Sequence, residues 1–149
     1  MSERVKKTID FHGITIKVEW PKGSDRQGVD SKGKPWTRHY HYDYGFIPRT
    51  KGGDEEELDV FVGPNPDGPK DDVYWVRQLK EDGSFDEYKV FLGFDTRAEA
   101  RRAYLQHIPA KFFGGMAAMS LSMMKALLGV DPLTKKAAVG FLFTLGSKL

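Results

Sequence analysis

The sequence predicts a mainly β (α+β) domain, in which short strands form a small twisted barrel and one or two C-terminal helices pack against it. Three observations predict this class. Several short stretches alternate apolar and polar residues, and turn residues separate them. After residue 95 the apolar spacing becomes that of a helix. The 149 residues, 40% of them apolar and 13% aromatic, suffice for one domain with a packed core.

The strands are predicted from alternation and from the turns between them. The first covers Ile14–Trp20, where every second residue is apolar. Residues 21–36 are rich in Gly, Lys, Asp and Ser and predict a hairpin loop or a long turn. A short strand and a tight turn around Gly45 are predicted within residues 37–50. Further strands are predicted over residues 57–62, 73–80 and 85–94, with Asp82-Gly83 as the turn between the last two.

Two helices are predicted after the strands. Thr96 and Glu99 have the spacing of a capping box, and Pro109 ends the helix that they begin. A second short helix begins at Ser120 or Ser122 and ends at Gly129. Residues 1–129 are therefore predicted to form one barrel domain with helices. Residues 130–149 form a C-terminal tail that could dock on the domain or bind a partner.

Composition narrows the class of function. The chain has no cysteine, which excludes disulfides, thiolate zinc sites and a cysteine nucleophile. The net charge of +2 gives no general nucleic-acid signal. The N-terminal stretch lacks the apolar segment of a secretory signal, and the apolar run near the end is too short to span a bilayer. We expect a cytoplasmic protein without a membrane partner.

An acidic run leads directly into a predicted strand. Five of the six residues 54–59 are acidic. Asp59 shares a strand face with Phe61, and a bend at the preceding glycines would bring Asp54 and Glu56 towards it. Three converging carboxylates need a cation, and oxygen ligands favour Mg²⁺, Mn²⁺ or Ca²⁺. The alternative is a solvated acidic turn.

A second polar cluster surrounds the last hairpin and contains Asp82, Asp86, Glu87 and Lys89. By itself it is typical of an ordinary polar turn. Together with the acidic run it predicts carboxylates from two neighbouring strands in one cleft. Two metal ions about 4 Å apart in such a cleft can promote displacement at phosphorus.

Basic and aromatic residues supply possible phosphate ligands. Tyr40, Tyr42 and Tyr44 share a face if the segment is extended. Phenol groups donate hydrogen bonds to phosphate oxygens, and arginine binds them through a bidentate fork. Core packing of the tyrosines and solubility for the lysine-rich loop are the alternatives. The basic residues are Lys17, Lys22, Arg26, Lys32, Lys34, Arg38, Arg49 and Lys51.

The stretch YGFIPRTKGGDEEELDVFVGP, residues 44–64, resembles the signature region of the soluble family I inorganic pyrophosphatases. Tyr44–Ile47 match its Tyr-Gly-Tyr-Ile, and Asp54, Glu56 and Asp59 fall on its three acidic positions. The second motif of the family, Asp-x₄-Asp-x-Lys, corresponds to Asp82, Glu87 and Lys89 here.

More narrowly, three segments look like the compact pyrophosphatase-like domain of phage and mobile-element proteins. They are DVFVGPNPD, FDEYKVFLGFDTRAEARRAY and MSLSMMKALL. The resemblance covers roughly residues 14–128. It implies an OB-like five-stranded barrel, Mg²⁺ as cofactor with Mn²⁺ as a substitute, and hydrolysis of diphosphate to two phosphates.

The resemblance and the residue pattern together give a hypothetical site. The metal ligands would be Asp54, Glu56, Asp59, Asp82, Glu87 and Glu19, the last at the position of an early family glutamate. The catalytic residues would be Glu56, Asp59, Lys89 and Tyr40. The substrate-binding residues would be Arg26, Lys22, Tyr44, Arg49 and Lys89.

Several positions depart from the family pattern. Glu56 and Glu87 stand where the family has aspartate, and a longer side chain shifts the spacing of bound metal. Gly28 stands where a family glutamate is expected. The late Tyr-Lys pair of the family is absent, with Lys111 or Tyr104 as substitutes.

Two other functions remain open from the sequence. The domain could be a pyrophosphatase-like binding or accessory module with weak or no turnover, in a homo-oligomer or with a phage protein. It could also bind single-stranded nucleic acid through aromatic and basic residues, as OB-like barrels do. The acidic runs would repel nucleic-acid phosphates, so we expect a small phosphoanhydride substrate and no nucleic-acid partner.

Overall fold

A computed structural model describes residues 3–48, 57–66, 72–130 and 132–146. The strands are β1 (Lys7–Phe11), β2 (Ile14–Trp20), β3 (Asp25–Val29), β4 (Pro35–His39), β5 (Asp43–Ile47), β6 (Leu58–Val62), β7 (Asp72–Leu79), β8 (Phe85–Leu92) and β9 (Phe113–Ser120). The helices are α1 (Arg97–His107), α2 (Leu121–Leu128) and α3 (Pro132–Gly146), and a 3-10 turn covers Ala110–Phe112.

Seven strands form one mixed sheet in the order β1-β2-β5-β6-β8-β7-β9, and β3 pairs with β4 in a separate ribbon. All pairs are antiparallel except β6 and β8, which run parallel. Because β6 and β8 are parallel neighbours, their N-terminal ends lie at the same edge of the sheet.

The mainly β class with C-terminal helices is confirmed, but the five-stranded barrel is not. Among the described residues the main sheet is open, with β1 and β9 at its edges. Its two faces are covered by different helices, so both are buried without closure of the strands. The tail, left open by the sequence, contains α3.

Each face of the sheet has its own core. Val60 and Trp75 belong to the first core, which α2 and α3 cover with residues such as Met124 and Val139. The second core lies under α1. It is rich in aromatic residues and includes Tyr40, Tyr44, Phe61, Phe91 and Tyr104. Alternate residues of one strand reach opposite cores, which explains why β6 is apolar on both faces near its end.

The predicted first strand and both predicted helices are confirmed. Oγ1 of Thr96 accepts from the Glu99 amide at 3.1 Å, whereas the Glu99 carboxylate accepts from the Asp95 amide rather than from Thr96. Ser120 caps α2, and Gly129 follows its last turn. None of the described helices has both the length and the apolarity needed to cross a membrane.

Gly45 lies within β5 rather than at the predicted tight turn, and it allows β2 and β5 to approach closely on the side of the first core. A Cβ atom at this position would lie 2.0 Å from the carbonyl oxygen of Lys17. We expect Gly45→Ala to lower the free energy of unfolding by about 1–3 kcal/mol, because the backbone of β2 must shift. Urea unfolding measures the effect.

Gly129→Ala is the matched control, since its Cβ would contact the nearest atom at an ordinary 3.6 Å and its φ is −94°. Its stability should change by less than about 1 kcal/mol. Equal losses in the two variants would contradict the close approach at Gly45.

Candidate active site

One row of paired residues crosses three strands on the α1 side of the sheet. Phe46 of β5 pairs with Asp59 of β6, and Asp59 pairs with Lys89 of β8. Directly paired residues point to the same face. Glu87 lies two residues before Lys89 on β8, so it points to that face as well. The row therefore places two carboxylates and an ammonium group side by side.

Lys89 is the centre of this group. Its Nζ donates to Oδ2 of Asp59 at 2.9 Å, to Oε1 of Glu87 at 2.6 Å and to the hydroxyl of Tyr44 at 2.8 Å. The Tyr44 hydroxyl in turn donates to Oδ2 of Asp59 at 2.6 Å. All three ammonium protons thus have partners. We call Tyr44, Asp59, Glu87 and Lys89 the Lys89 cluster.

The two carboxylates of the cluster differ in their tendency to ionise. Burial opposes ionisation of Asp59, but the Lys89 charge and the hydrogen bonds from Tyr44 and Lys89 hold its pKa below the ordinary value. Burial raises the pKa of Glu87, and Lys89 offsets this only in part. Burial also disfavours the Lys89 cation, yet the surrounding oxygens keep its pKa above its ordinary value. Asp59 and Lys89 are therefore a charged pair, and Glu87 is the carboxylate that accepts a proton first.

The carboxylates are accessible, whereas the ammonium is not. The side chain of Lys89 is 5% exposed, against 28% for Asp59 and 43% for Glu87. Carboxylate oxygens of this kind suit a hard cation such as Mg²⁺. Within the described ranges no three acidic or histidine side chains come together as a metal site. Asp59 and Glu87 fit the donor chemistry of Mg²⁺, but they are only part of a complete ligand set.

Tyr40 packs beside the Lys89 cluster. Its ring is fully buried and stacks between Tyr44, with ring centroids 5.3 Å apart, and Trp20, at 5.8 Å. Its hydroxyl has no hydrogen-bond partner in the described part of the chain. Since buried hydroxyls almost always have a partner, this oxygen is a candidate ligand for a polar group entering the site.

The β3–β4 ribbon contributes two arginines. Arg26 and Arg38 are paired directly across the two strands, so their side chains lie on the same face of the ribbon. Both lie near the Trp36 ring, with guanidinium carbons 5.9 and 5.6 Å from its centroid. Neither forms a salt bridge with a carboxylate among the residues that the structure describes. Like charges directly across a ribbon repel, which makes this pair suited to an anion.

Tyr104 of α1 is hydrogen-bonded to β7, the strand that pairs with β8 of the Lys89 cluster. Its hydroxyl donates to Oε1 of Gln78 at 2.9 Å, and Gln78 is the register partner of Glu87. Burial raises the pKa of Tyr104, while the positive charges of Lys89 and Arg38 act in the opposite direction. Both cations therefore favour the ionised form of this hydroxyl. Arg38 was predicted only as one of eight possible phosphate ligands and not as one of the substrate-binding residues, because sequence spacing alone did not distinguish it from the other basic residues of this region.

The family model described as Inorganic Pyrophosphatase matches residues 3–129, most of the chain. The chain belongs to the inorganic pyrophosphatase family. Two solved structures are similar to it. An inorganic phosphatase from Anaplasma phagocytophilum is 17% identical, with 81% of this chain and 92% of that chain covered and a TM-score of 0.37. An inorganic pyrophosphatase from Coxiella burnetii is 21% identical, with 76% and 68% covered and a TM-score of 0.26. No curated protein sequence matches the chain.

The predicted pyrophosphatase residues are brought together only in part. The structure joins Tyr44, Asp59, Glu87 and Lys89, and it places Tyr40 beside them. Arg49, Asp54 and Glu56 lie outside the described residues.

Three other predicted residues have different surroundings. Asp82 is not part of the Lys89 cluster: its Oδ1 accepts from the amide and the hydroxyl of Ser84, at 2.9 and 2.6 Å, and so closes the β7–β8 turn. Lys22 is exposed, and its amide donates to Asp43. Arg26 lies on the same face of the ribbon as Arg38.

Glu19 is held by the N-terminal segment. Its two carboxylate oxygens accept from Nε and Nη2 of Arg4, each at 3.0 Å. Arg4 also donates to both carboxylate oxygens of Glu57, at 3.0 and 2.6 Å, and its guanidinium carbon lies 4.2 Å from the centroid of the Phe46 ring. These hydrogen bonds hold the pKa of Arg4 well above its ordinary range. We call Arg4, Glu19 and Glu57 the Arg4 bridge.

Gly28 has a packing reason for departing from the family glutamate. A Cβ at position 28 would lie 2.3 Å from the Trp36 ring, which covers this glycine from the paired strand. A side chain here would displace the Trp36 ring. The glycine that replaces the family glutamate therefore leaves room for the Trp36 ring, which lies near both Arg26 and Arg38.

His107, at the end of α1, fixes the turn that carries Tyr40. Its Nδ1 lies 2.6 Å from the carbonyl oxygen of Ala103, and its Nε2 accepts from the amide of His41 at 2.9 Å. The ring also packs 4.7 Å from Phe61 and 5.7 Å from Tyr40, centroid to centroid. These two bonds require the neutral form with the proton on Nδ1. Sequence reasoning missed this role, because a histidine at a helix C-terminus is more typically an exposed cation.

Burial lowers the pKa of His107 from 6.5 to about 4. Between these values the unfolded chain binds more protons than the folded one, so this contribution to stability is present above pH 6.5 and is lost as the pH falls towards 4. We expect His107→Phe to lower the stability at neutral pH by about 1–3 kcal/mol, since the His41 amide loses its acceptor.

The variant should also lose less stability than the wild type between pH values of about 7 and about 4.5. Urea unfolding at both pH values measures the difference. His12→Asn, which removes an imidazole from an exposed turn, should retain the wild-type pH dependence. Parallel pH profiles for the wild type and His107→Phe would rule out a buried neutral His107.

Proposed function

We propose that this protein hydrolyses inorganic diphosphate, or a related phosphoanhydride, to phosphate with Mg²⁺ as cofactor and Mn²⁺ as a substitute. The observation that carries the proposal is the meeting of Asp59 and Glu87, from two neighbouring strands, around the buried Lys89 in a chain of the inorganic pyrophosphatase family. The reaction would take place in the cytoplasm. A phage or mobile-element origin remains a prediction from the resemblance.

Asp59 and Glu87 would hold the metal, together with Asp54, Glu56 and, by family position, Glu19. Bound Mg²⁺ lowers the pKa of a coordinated water and offsets the charge of phosphate oxygens. Asp59 suits this role because its carboxyl stays ionised beside Lys89. Glu56, by its family position, would accept the proton of the attacking water.

Lys89 would supply a fixed positive charge to the phosphate that receives the water. Its ammonium is held by three hydrogen bonds on a buried strand, so little reorganisation is needed when negative charge develops nearby. Tyr44 orients the Lys89 nitrogen and the Asp59 carboxylate at the same time. The side chains of the cluster would therefore keep one geometry throughout the reaction.

The remaining phosphate contacts would come mainly from groups that have no acidic partner among the described residues. Arg26 and Arg38 offer two guanidinium forks from one face of the ribbon, and the Tyr40 hydroxyl offers a buried donor. Lys22 and Arg49 are further candidates by sequence position. Two phosphates joined by an anhydride would match a cleft with carboxylates on one side and cations on the other.

A second candidate function is phosphoanhydride binding with weak or no turnover. One observation favours it: the Asp82 carboxylate is used by Ser84 in the hairpin turn, whereas the family motif predicts it in the metal site. Glu87, whose pKa burial raises, also holds its proton more readily than an ordinary glutamate. In this case the protein would bind Mg²⁺ and substrate in a calorimeter without releasing phosphate.

Asp59→Asn tests the catalytic proposal. The substitution keeps the shape of the side chain but removes the charge that faces Lys89, so Mg²⁺-dependent phosphate release from diphosphate should fall by at least about 100-fold. The assay compares the wild type and the variant with and without Mg²⁺ over a panel of phosphoanhydrides. Circular dichroism should show an unchanged fold.

Asp10→Asn, on the exposed face of β1, is the matched control and should keep the wild-type rate. Wild-type turnover in Asp59→Asn would end the assignment of the Lys89 cluster as the active site. A wild-type protein that binds the panel without releasing phosphate would select the second candidate.

Arg38→Gln tests substrate binding by the ribbon. Loss of a charge-assisted hydrogen bond to phosphate should raise KM for diphosphate by about tenfold or more, with a smaller change in kcat. Steady-state kinetics at fixed Mg²⁺ measure both constants. Lys32→Gln removes the same charge from the exposed turn of the ribbon and should change neither. An unchanged KM in Arg38→Gln would place the phosphates elsewhere.

A further inference from the structure

The N-terminal segment is attached to β2 before β1 begins. The amide of Lys6 donates to the carbonyl oxygen of Val18 at 2.8 Å, which continues the pairing of β1 with β2 by one residue. Arg4 lies two residues further towards the N-terminus, and its side chain reaches across Phe46 of β5. The segment thus lies over the same sheet face as the row that contains Asp59.

Arg4 links two carboxylates in the same way as a metal cation that bridges them. All four oxygens of the Glu19 and Glu57 carboxylates accept from the one guanidinium group. The two carboxylates come from β2 and from the residue before β6, which are separated by β5 in the sheet. Without a cation between them they would repel each other.

We propose that the Arg4 guanidinium competes with a divalent ion for the carboxylate of Glu19. The ion can bind this carboxylate only after the N-terminal segment is displaced. The inference rests on the proposed function, because Glu19 is one of its proposed metal ligands. It assigns the N-terminal segment a role at the rim of the site: it lowers the affinity for one divalent ion.

The accessibility of the bridge makes this competition feasible. The side chains of Arg4, Glu19 and Glu57 are 55%, 22% and 32% exposed. Ion pairs at this exposure contribute little individually, although a bidentate fork held on an aromatic ring contributes more than an isolated pair. Displacement by a divalent ion is therefore possible, and removal of Arg4 should increase the affinity for that ion by about fivefold.

Calorimetric titration with Mg²⁺ alone, at low ionic strength and without substrate, tests the inference. Arg4→Gln should bind Mg²⁺ about fivefold more tightly than the wild type, or bind one additional ion per chain. The double variant Arg4→Gln/Glu19→Gln should lose this gain. Lys6→Gln removes the same charge two residues away and should match the wild type. Among the described residues, the Lys6 ammonium donates to the carbonyl oxygen of Glu3 and to no carboxylate.

Arg4→Lys is a second variant that is less disruptive to folding. It keeps the positive charge but cannot donate hydrogen bonds to all four carboxylate oxygens. It should show a smaller gain than Arg4→Gln. A wild-type isotherm for both Arg4 variants, or a gain that persists in the double variant, would overturn the inference. Neither result depends on phosphate release, so it is distinguishable from failure of the Asp59→Asn test.

Discussion

The parallel pairing of β6 and β8 is the constraint on which the site depends. It places Asp59 directly beside Lys89, although the two residues are 30 positions apart in the sequence. An antiparallel neighbour would put the two strand starts at opposite edges of the sheet. Here both strands begin at one edge, so the polar residues at their starts meet while their apolar ends continue into the cores.

A buried ammonium imposes a second requirement. Removing Lys89 from water is costly unless its protons and charge are matched, and Tyr44, Asp59 and Glu87 provide that match. The same residues give the site its chemical asymmetry, because one carboxylate is kept ionised and the other is held closer to protonation. The contacts that stabilise the buried ammonium are therefore the same contacts that set the charge states of the two carboxylates.

The sequence predicted the parts of the site that depend on local spacing. Alternation along the strands placed Asp59 opposite its apolar neighbours, and the spacing of the family motif selected Glu87 and Lys89. It did not predict α3 or β1, whose apolar patterns are short, or β9, where glycines and alanines obscure the alternation. The open sheet was also missed, since covering both faces with helices is a property of the whole chain.

Sequence spacing could not predict contacts between residues that are far apart in the chain. Arg4 meets Glu57 across 53 residues, and the His41 amide meets His107 across 66. Nothing in the local sequence distinguishes Arg4 from other basic residues of a polar N-terminal segment. The Asp82 prediction followed the family spacing, but a serine two residues later offers a nearer partner and the carboxylate closes the turn instead.

The β3–β4 ribbon shares no strand pairing with the main sheet in the described ranges, and Tyr40 lies at its base. A tilt of the ribbon would move its two guanidinium groups without breaking a ladder of the seven-stranded sheet. The carboxylates are thus held by the ladders of the main sheet, whereas the arginines belong to a ribbon outside those ladders. A change in the angle of the ribbon would therefore alter the distance between the arginines and the carboxylates while the Lys89 cluster keeps its contacts.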